Sequence, residues 1–321
     1  MLASASLLSV GYGACRSSSR QTDGGPSDKT QPPPSAAVSA APSVSAPTSA
    51  SARKPDDGRL PPSAPTDSGC AAGMARIGSF CIDRYEAYLV QLDADGSETA
   101  HPPFERPQKG VAYRARCSAG VFPQAYVNRH EAQSACENAG KRLCRLEEWY
   151  RACAGTHHNT YPYGPEEQAG YCNTGKVHLL AKLYGADPHR WSYEDHFNSP
   201  RLNQVPGFLA RTGAHPHCVS DWQVFDLVGN LHEWISDRVD FELPRKIQLR
   251  NDIHARVDDN YGKAIFMGGF YSTTDQHGPG CRFVTIGHGA AYHDYSTGFR
   301  CCADAGADAA PSASPSVAAP E

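Results

Sequence analysis

The chain has 321 residues and a formal net charge of −4 without a cluster of basic residues, so it does not indicate nucleic-acid binding. No apolar run approaches the roughly 18 residues that would span a membrane. The 12 cysteines include no CxxC pair and no Cys/His zinc spacing, which argues against a redox motif or a zinc finger and favours disulfides in an exported protein.

The chain begins with MLASASLLSVGYGAC, a short apolar stretch that runs into small residues and then Cys15. This pattern resembles a bacterial lipoprotein signal, in which the cysteine receives lipid after cleavage. No Lys or Arg precedes the apolar run, however, and Tyr12 stands where an aliphatic residue is usual. Residues 1–15 are predicted to be a signal peptide, with lipidation of Cys15 and export without lipid both open.

Two segments are too poor in apolar residues to fold. Residues 16–68 are rich in Ser, Ala, Pro, Thr and Gly and contain no aromatic residue, and residues 305–321 have the same character. Because such segments cannot bury enough apolar surface to offset chain entropy, we predict a disordered linker and a disordered tail. Residues 69–304 contain all 4 Trp residues and are long enough for one sizeable core, so they are predicted to form a single domain.

The predicted domain opens with two strand-like runs between Cys70 and Leu92. Gly78 and Ser79 separate the two runs, which predicts a hairpin. Cys70 and Cys81 could staple it.

Two helices are predicted next. Asn128, with Glu131 three residues later, forms a capping box, and Gly140 ends the first helix. The buried face of the second helix is made by Leu146, Trp149, Tyr150 and Cys153. From Gly155 to Trp222 the pattern is irregular, so the fold class predicted is α+β, poor in regular structure and held by disulfides.

Five motifs in order along the domain carry a resemblance to a known family. They are AGKRLCRLEEWYRACAG at 139–155, YPYG at 161–164 with CN at 172–173, DLVGNLHEW at 226–234, GG at 268–269 and GFRCCAD at 298–304. With these motifs, Gly73 to Asp304 resembles the formylglycine-generating enzymes, or sulfatase-modifying factors. The resemblance implies a C-type-lectin-like fold with little regular secondary structure.

The resemblance also implies an activity. Characterised members oxidise a cysteine of a sulfatase peptide to formylglycine with oxygen and a copper ion, which two cysteines after the GG motif bind. Relatives include iron-dependent sulfoxide synthases and pigment-maturation proteins. No GxSxG motif, phosphate-binding glycine loop or Ser-His-Asp order supports a hydrolase or a kinase.

Structural calcium is a further implication of the resemblance. Two carboxylates and two backbone carbonyls would supply the oxygen ligands that calcium prefers. The positions implied are Asp226, Gly229, Leu231 and Glu233. The alternative is a turn whose acids face solvent or cap a helix. A second family site begins at Asn173 and Thr174.

His232 lies inside the DLVGNLHEW motif, where the family usually has Trp. His232 and Glu233 do not form a zinc HExxH motif, because the position of the second histidine is Ser236. We interpret His232 as a structural, hydrogen-bonded residue.

The resemblance also implies disulfides that tie the helical pair to the C-terminal loops. Two pairs match family bridges: Cys136–Cys301 and Cys153–Cys281. The extra cysteines suggest two more pairs, Cys144–Cys302 and Cys172–Cys218, beside the hairpin pair Cys70–Cys81. Cys117 is then the candidate for the unpaired thiol, and nothing near it in sequence suggests a lowered pKa.

The loop GGFYSTTDQHGPGC at 268–281 occupies the place of the family's copper site. By position the first copper ligand falls at Thr273 and the second between Gln276 and Gly278. A hydroxyl or an amide is a poor ligand for Cu(I), which selects thiolates, so copper is not expected. If the loop is catalytic, its candidate residues are Thr273, Asp275 and His277.

A different metal is the remaining catalytic option for this region. His277, His288 and His293 lie close in sequence, with Asp275 and Asp294 beside them, and two histidines with one carboxylate would suit non-heme iron. Alternatively, these histidines line a groove for a peptide or glycan, together with the tyrosines Tyr271, Tyr292 and Tyr295.

Two hypotheses about function follow. The first is a calcium-stabilised, non-catalytic binding or scaffold module at the surface of a bacterium, periplasmic or attached to the outer membrane through a lipid on Cys15. The second is a metal-dependent oxidoreductase, of non-heme iron type, that acts on a thiol or peptide. The residue chemistry favours the binding module. Its ligand would be a peptide, protein or glycan, and we expect a monomer.

Overall fold

In the computed structural model, residues 67–306 are described, apart from residues 274 and 276. Short strands and helices alternate with long ordered loops. The predicted signal peptide with Cys15, nearly all of the predicted linker and the tail from residue 307 lie outside the described residues. No described helix is long and apolar enough to cross a membrane.

Three small sheets are formed by eleven strands: β1 (Met74–Ile77), β2 (Phe80–Asp83), β3 (Ala87–Leu92), β4 (Glu98–Ala100), β5 (Tyr113–Cys117), β6 (Arg142–Leu143), β7 (His232–Arg238), β8 (Ala264–Met267), β9 (Val284–Thr285), β10 (Thr297–Phe299) and β11 (Cys301–Asp304). Their orders are β1-β2-β11-β6, β10-β7-β8-β9 and β4-β3-β5. The β7–β10 pair is parallel and the other pairs are antiparallel. The predicted hairpin is confirmed, because β1 and β2 are joined by Gly78 and Ser79.

The α-helices are α1 (Arg129–Asn138), α2 (Leu146–Ala154), α3 (Leu179–Tyr184), α4 (Leu243–Lys246) and α5 (Asn251–His254). Single turns of other helix types lie at Pro188–Arg190, Tyr193–Phe197, Asp258–Asn260 and Gly280–Arg282. The helix α3 interrupts the stretch that the sequence predicts to be irregular. It is only six residues long, and Leu179 and Leu180 anchor it in an aromatic cluster, so tertiary packing rather than a periodic pattern specifies it.

The capping box of α1 is present as predicted. Asn128 Oδ1 accepts a hydrogen bond from the Glu131 amide at 2.9 Å, and the Glu131 carboxylate accepts one from the Asn128 amide at 2.9 Å. In α2, Trp149 and Cys153 are fully buried and Leu146 almost so, whereas Tyr150 is half-buried. The face of α2 therefore packs against the core as its sequence pattern predicts.

Five disulfides link the described cysteines, with the pairing set out above: Cys70–Cys81, Cys136–Cys301, Cys144–Cys302, Cys153–Cys281 and Cys172–Cys218. Cys117 is the free cysteine of the described part. Its thiol lies beside Asp83, and burial, followed by the Asp83 charge, raises the pKa of Cys117 far above its ordinary value. Such a thiol is a poor nucleophile.

Candidate functional site

A groove of about 350 Å³ lies between the 161–175 segment and the glycine-rich 268–283 segment. It is lined by Tyr161, Tyr163, Glu167, Cys172, Thr174, Gly175, Val228, Gly268, Thr273, Asp275, Pro279, Gly280 and Phe283. Two of the candidate loop residues, Thr273 and Asp275, line it. Its walls are fixed at two points, since Cys172 is bridged to Cys218 and Gly280 precedes the bridged Cys281.

Thr273 has a structural task in the groove wall. Its hydroxyl oxygen accepts a hydrogen bond from the Phe270 amide at 2.7 Å, and its carbonyl oxygen accepts one from the Gly175 amide at 2.9 Å. The side chain is 9% exposed. Thr273 thus closes the turn after Gly269, where φ is +76°, and joins the two walls of the groove.

Aromatic rings form one side of the groove. The rings of Tyr161 and Tyr163 stack with centroids 5.6 Å apart, and Tyr163 meets Tyr171 edge-on at 4.9 Å. Burial, followed by smaller effects that include the charges of Glu167 and Asp275, raises the pKa of Tyr161 to about 12. The Tyr161 hydroxyl is therefore neutral at ordinary pH, and Tyr161 lines the same groove as Glu167 and Asp275.

A buried ion pair lies behind the groove. Glu233 accepts hydrogen bonds from the Arg300 guanidinium at 2.6 and 2.7 Å and from the Trp149 indole at 2.8 Å. All three side chains are almost fully buried. The Arg300 guanidinium thereby balances the charge of the Glu233 carboxylate, which three hydrogen bonds hold in place.

Two further acids are buried around this pair. Glu86 accepts from the Asn230 side chain at 2.5 Å and from the Leu231 amide at 3.1 Å. Asp226 accepts from the Gly213 amide at 2.6 Å. Burial, followed by the Asp226 and Glu233 charges, raises the pKa of Glu86 well above its usual value. Burial, with a smaller effect of Glu233, raises the pKa of Asp226 to about 7.

The three histidines that the sequence groups in this region have different bonding partners. His277 is hydrogen-bonded to Thr285 at 3.1 Å, His288 stacks on Tyr292 at 3.8 Å, and His293 is hydrogen-bonded to Asn198 at 2.7 Å. Over residues 67–306, without 274 and 276, no three His, Cys, Asp or Glu side chains are placed to hold a metal ion. Asp294 is bound to its own loop instead, accepting from the Tyr292 hydroxyl and from Ser296.

His232 is buried among aromatic rings rather than exposed to the groove. Its ring lies 4.6 Å from Phe266 and 5.1 Å from Phe270. Burial, followed by the charges of His277 and His288, lowers its pKa well below the ordinary value. Its Nδ1 atom has no hydrogen-bond partner in the described part of the chain, so the hydrogen bond expected from the sequence is not found at that atom.

Comparison with known proteins places this geometry in a family. A family model described as the sulfatase-modifying factor enzyme 1-like domain matches residues 59–305. The chain belongs to this family. The resemblance inferred from the five motifs is therefore confirmed, together with the mixed α and β fold that it implies.

Individual relatives of this sulfatase-modifying-factor-like chain are distant. The inactive C-alpha-formylglycine-generating enzyme 2 of Bos taurus is 29% identical over 118 residues, which are 36% of this chain and 33% of that protein. The match thus spans about a third of the relative's length.

Solved structures with similarity include PvdO from Pseudomonas aeruginosa, at 16% identity and a TM-score of 0.38, covering 70% of this chain and 80% of that one. CarF is 14% identical with a TM-score of 0.36, covering 70% and 86% of the two chains. The P3c variant of the major tropism determinant is 17% identical with a TM-score of 0.36, covering 72% and 52%.

The groove of this family member does not fit a copper-thiolate centre. The sulfur that lines it, that of Cys172, is in a disulfide, and residues 269–280 contain no cysteine. The hydroxyl of Thr273, which the resemblance aligns with the first copper ligand, already accepts a backbone hydrogen bond. Cu(I) selects free thiolates, and none is offered here.

The calcium set implied by the family fits only in part. Asp226 is buried and oxygen-bearing, but both Glu233 oxygens are engaged by Arg300, and one of them also by Trp149. At the second position, the Asn173 backbone carbonyl accepts from the Asn230 amide, and its side-chain oxygen is buried without a partner among the described residues. Calcium at Asp226 or Asn173 stays a prediction, and Glu233 does not serve as its ligand in this arrangement.

Several residues of the site are not identified by sequence reasoning. Glu86 and Arg300 lie far in sequence from Asp226 and Glu233. No pattern in the sequence around either residue indicates that these four side chains are buried together. Arg300 does lie in the GFRCCAD motif, and a buried arginine in a motif calls for an acidic partner. The groove residues Tyr161, Tyr163 and Glu167 belong to or follow the YPYG motif, which is the signal that could have identified them.

Proposed function

We propose that this domain is a non-catalytic binding module whose ligand occupies the groove between the 161–175 and 268–283 segments. The observation that carries the proposal is Thr273. At the position where the family's enzymes have a copper-binding thiolate, this chain has a hydroxyl that is buried and hydrogen-bonded to the Phe270 amide. The groove thus has the frame of the family without its reacting sulfur.

The rigidity of the groove supports a binding role. Disulfides fix both walls, and the Thr273–Gly175 hydrogen bond joins them, so little conformational entropy is lost when a ligand enters. Stacked tyrosines give a large contact area with few rotatable bonds, as is typical of surfaces that bind peptides or glycans.

The site of action that we propose is outside the cytoplasm. Five disulfides among the described residues are typical of an oxidising compartment. The N-terminal sequence supports export, either as a periplasmic protein or as a lipoprotein anchored through Cys15. Mass spectrometry of the mature N-terminus distinguishes these two, and calcium titration of the metal-free protein tests the structural calcium.

Metal content together with oxygen consumption tests the binding role against the oxidoreductase hypothesis. The domain is purified, its copper and iron are quantified, and oxygen uptake is followed with a cysteine-containing peptide. We expect neither metal near one per chain and no uptake above that of the peptide alone. Iron or copper near one per chain, lost in His277→Ala or His293→Ala, with peptide-dependent uptake, would establish the enzyme instead.

A further inference from the structure

A second groove in the described chain has a volume of about 560 Å³, and we call it the α1 groove. It is lined by residues 106–111, by helix α1 with its cap, and by one residue each of β3 and β5. It shares no lining residue with the groove between the 161–175 and 268–283 segments. Small-molecule sites have volumes of about 300–1,000 Å³, so the α1 groove is large enough for such a ligand.

Apolar side chains form the floor of the α1 groove. Leu89 and Ala135 are almost fully buried, Tyr113 is buried, and Val111 is partly buried against the same core cluster. The Tyr113 hydroxyl accepts a hydrogen bond from the Gln108 amide at 3.1 Å, so its oxygen is already engaged and its ring adds to the apolar surface. An aliphatic group that covers this floor leaves water, which is favourable.

The negative charge at the rim of the α1 groove is already balanced. Among the described lining residues, Glu131 is the one acid. Its Oε1 atom accepts a hydrogen bond from the Arg106 guanidinium at 3.2 Å, and its Oε2 atom accepts one from the Asn128 amide at 2.9 Å. Because both oxygens are engaged and a guanidinium lies beside them, Glu131 offers little attraction to a cationic ligand.

Positive charge at the same rim remains available. Lys109 is exposed and has no ion pair or hydrogen bond within residues 67–306, leaving aside 274 and 276. The Arg106 side chain is 50% exposed and uses one nitrogen for Glu131, which leaves further N–H donors. Carboxylates form charge-assisted hydrogen bonds with ammonium and guanidinium groups. The lining residues therefore favour an anionic group over a cationic one.

We propose that the α1 groove binds a small aliphatic carboxylic acid. The hydrocarbon chain lies on Leu89, Val111 and Tyr113, and the carboxylate meets Lys109 and Arg106. The apolar floor selects the chain of the ligand, and the uncompensated charge at the rim selects an acid over an alcohol or an amine. This site is separate from the groove proposed for a peptide or glycan, so neither proposal depends on the other.

A titration followed by nuclear magnetic resonance tests the inference on the isotope-labelled full chain with its disulfides intact. The probes are octanoate, octanol and octylammonium, which share a hydrocarbon chain and differ in charge. We expect octanoate to bind about fivefold more tightly than octylammonium, with octanol between them, and to shift the amide signals of residues 106–111 and 128–135. The preference should shrink from about 20 to about 500 mM salt, because the cations are exposed to solvent.

Removal of one charge tests the role of the rim. Lys109→Gln should weaken octanoate binding about threefold and leave octanol binding unchanged. The control is Arg201→Gln, which removes a positive charge from an exposed residue that does not line the groove. It should leave the affinities of both probes unchanged.

An obstruction tests whether the ligand occupies the groove. Ser134 is exposed on α1 and lines the groove, whereas the adjacent Gln133 does not. Ser134→Phe should weaken octanoate and octanol binding alike, by about fivefold or more, because the ring covers the floor. Gln133→Phe should leave both affinities unchanged. Unchanged melting temperatures verify that each variant is folded.

Equal affinity of the wild-type chain for octanoate and octylammonium would overturn the selection of an acid. Signal shifts confined to other residues, or no binding of any probe, would overturn the site itself. These results need no variant, so they hold even where a variant fails to fold. None of them bears on the groove between the 161–175 and 268–283 segments, whose test is metal content with oxygen consumption.

Discussion

Two regions of the site differ in how their side chains are used. One is the buried cluster of Trp149, Glu233 and Arg300 behind the groove, which we call the frame. The other is the 268–283 segment that lines the groove, which we call the wall. In the frame, Trp149, Glu233 and Arg300 are almost fully buried, and both Glu233 oxygens are bound. In the wall, Asp275 is exposed and the chain turns through glycines at 268 and 269. The frame is closed to any ligand, whereas the wall presents side chains to one.

Under the proposed binding role, this difference explains how the family fold is kept while the groove serves a ligand instead of a reaction. Substitution in the frame would leave a charge buried without a partner, which is costly. Substitution in the wall changes only what the groove offers to a ligand. Thr273 lies at the border, where its buried hydroxyl accepts a hydrogen bond from the Phe270 amide.

The largest effect is expected when the frame loses its cation. Arg300→Met leaves Glu233, Glu86 and Asp226 buried together without the guanidinium, which should lower the free energy of unfolding by about 3–5 kcal/mol. Urea denaturation measures it. In the wall control, Asp275→Asn, the free energy of unfolding should stay within about 0.5 kcal/mol of the wild-type value. Similar losses in the two variants would remove the distinction between frame and wall.

A smaller loss is expected from one disulfide of the frame. Cys136–Cys301, Cys144–Cys302 and Cys153–Cys281 connect the same two regions of the chain in succession. When the other two bridges are in place, Cys136–Cys301 closes only a short additional loop of the unfolded chain. The double variant Cys136→Ala with Cys301→Ala should therefore lower the free energy of unfolding by about 3 kcal/mol. If the double variant were unfolded at room temperature, the two remaining bridges would not restrict the unfolded chain as this prediction assumes.

Gly268 tests where the wall joins the frame. Its φ is +82°, and an added Cβ would lie 2.5 Å from the Leu227 carbonyl oxygen and 3.0 Å from the Trp149 ring. Gly262, with φ +77°, has open space at the same position. Both alanine variants suffer the backbone strain, but Gly268→Ala should lose about 1–3 kcal/mol more, from overlap. Equal melting temperatures of the two would contradict tight packing there.

A pH dependence due to Asp226 tests the buried acids behind the groove. Its pKa is about 7 in the folded protein and 3.8 when unperturbed, so between these pH values the folded state holds a proton that the unfolded state has released. The free energy of unfolding from this group therefore falls as pH rises from about 4 to 7, and is constant outside that window. Asp226→Asn should remove that slope, which the difference between variant and wild-type denaturation curves measures.

Calcium changes the expected sign of that slope. An ion on Asp226 would favour the ionised carboxylate and lower its pKa. Repeating the titration with calcium and with a chelator therefore tests the structural calcium directly. Identical slopes in the two conditions would argue against calcium at this residue.

Local patterns in the sequence predicted the elements that short-range interactions specify. Short-range periodicity and capping residues predict the hairpin, the capped helix α1 and the buried face of α2. The resemblance to the family guided the pairing of the cysteines. The meeting of Glu86 with Arg300 and Glu233 depends on chain segments far apart in sequence, which no local pattern encodes. The three histidines are close in sequence, but among the described residues they do not form a three-ligand metal cluster.

The most direct test of the central claim is a Cu(I) competition titration. The reduced-metal probe is a chromophoric Cu(I) chelator, and the purified domain with its disulfides intact is the competitor. Without a free thiolate pair at Thr273 and its loop, the domain should withdraw no copper from the chelator. Withdrawal of one copper ion per chain, abolished by substitution in the 273–278 loop, would contradict the account.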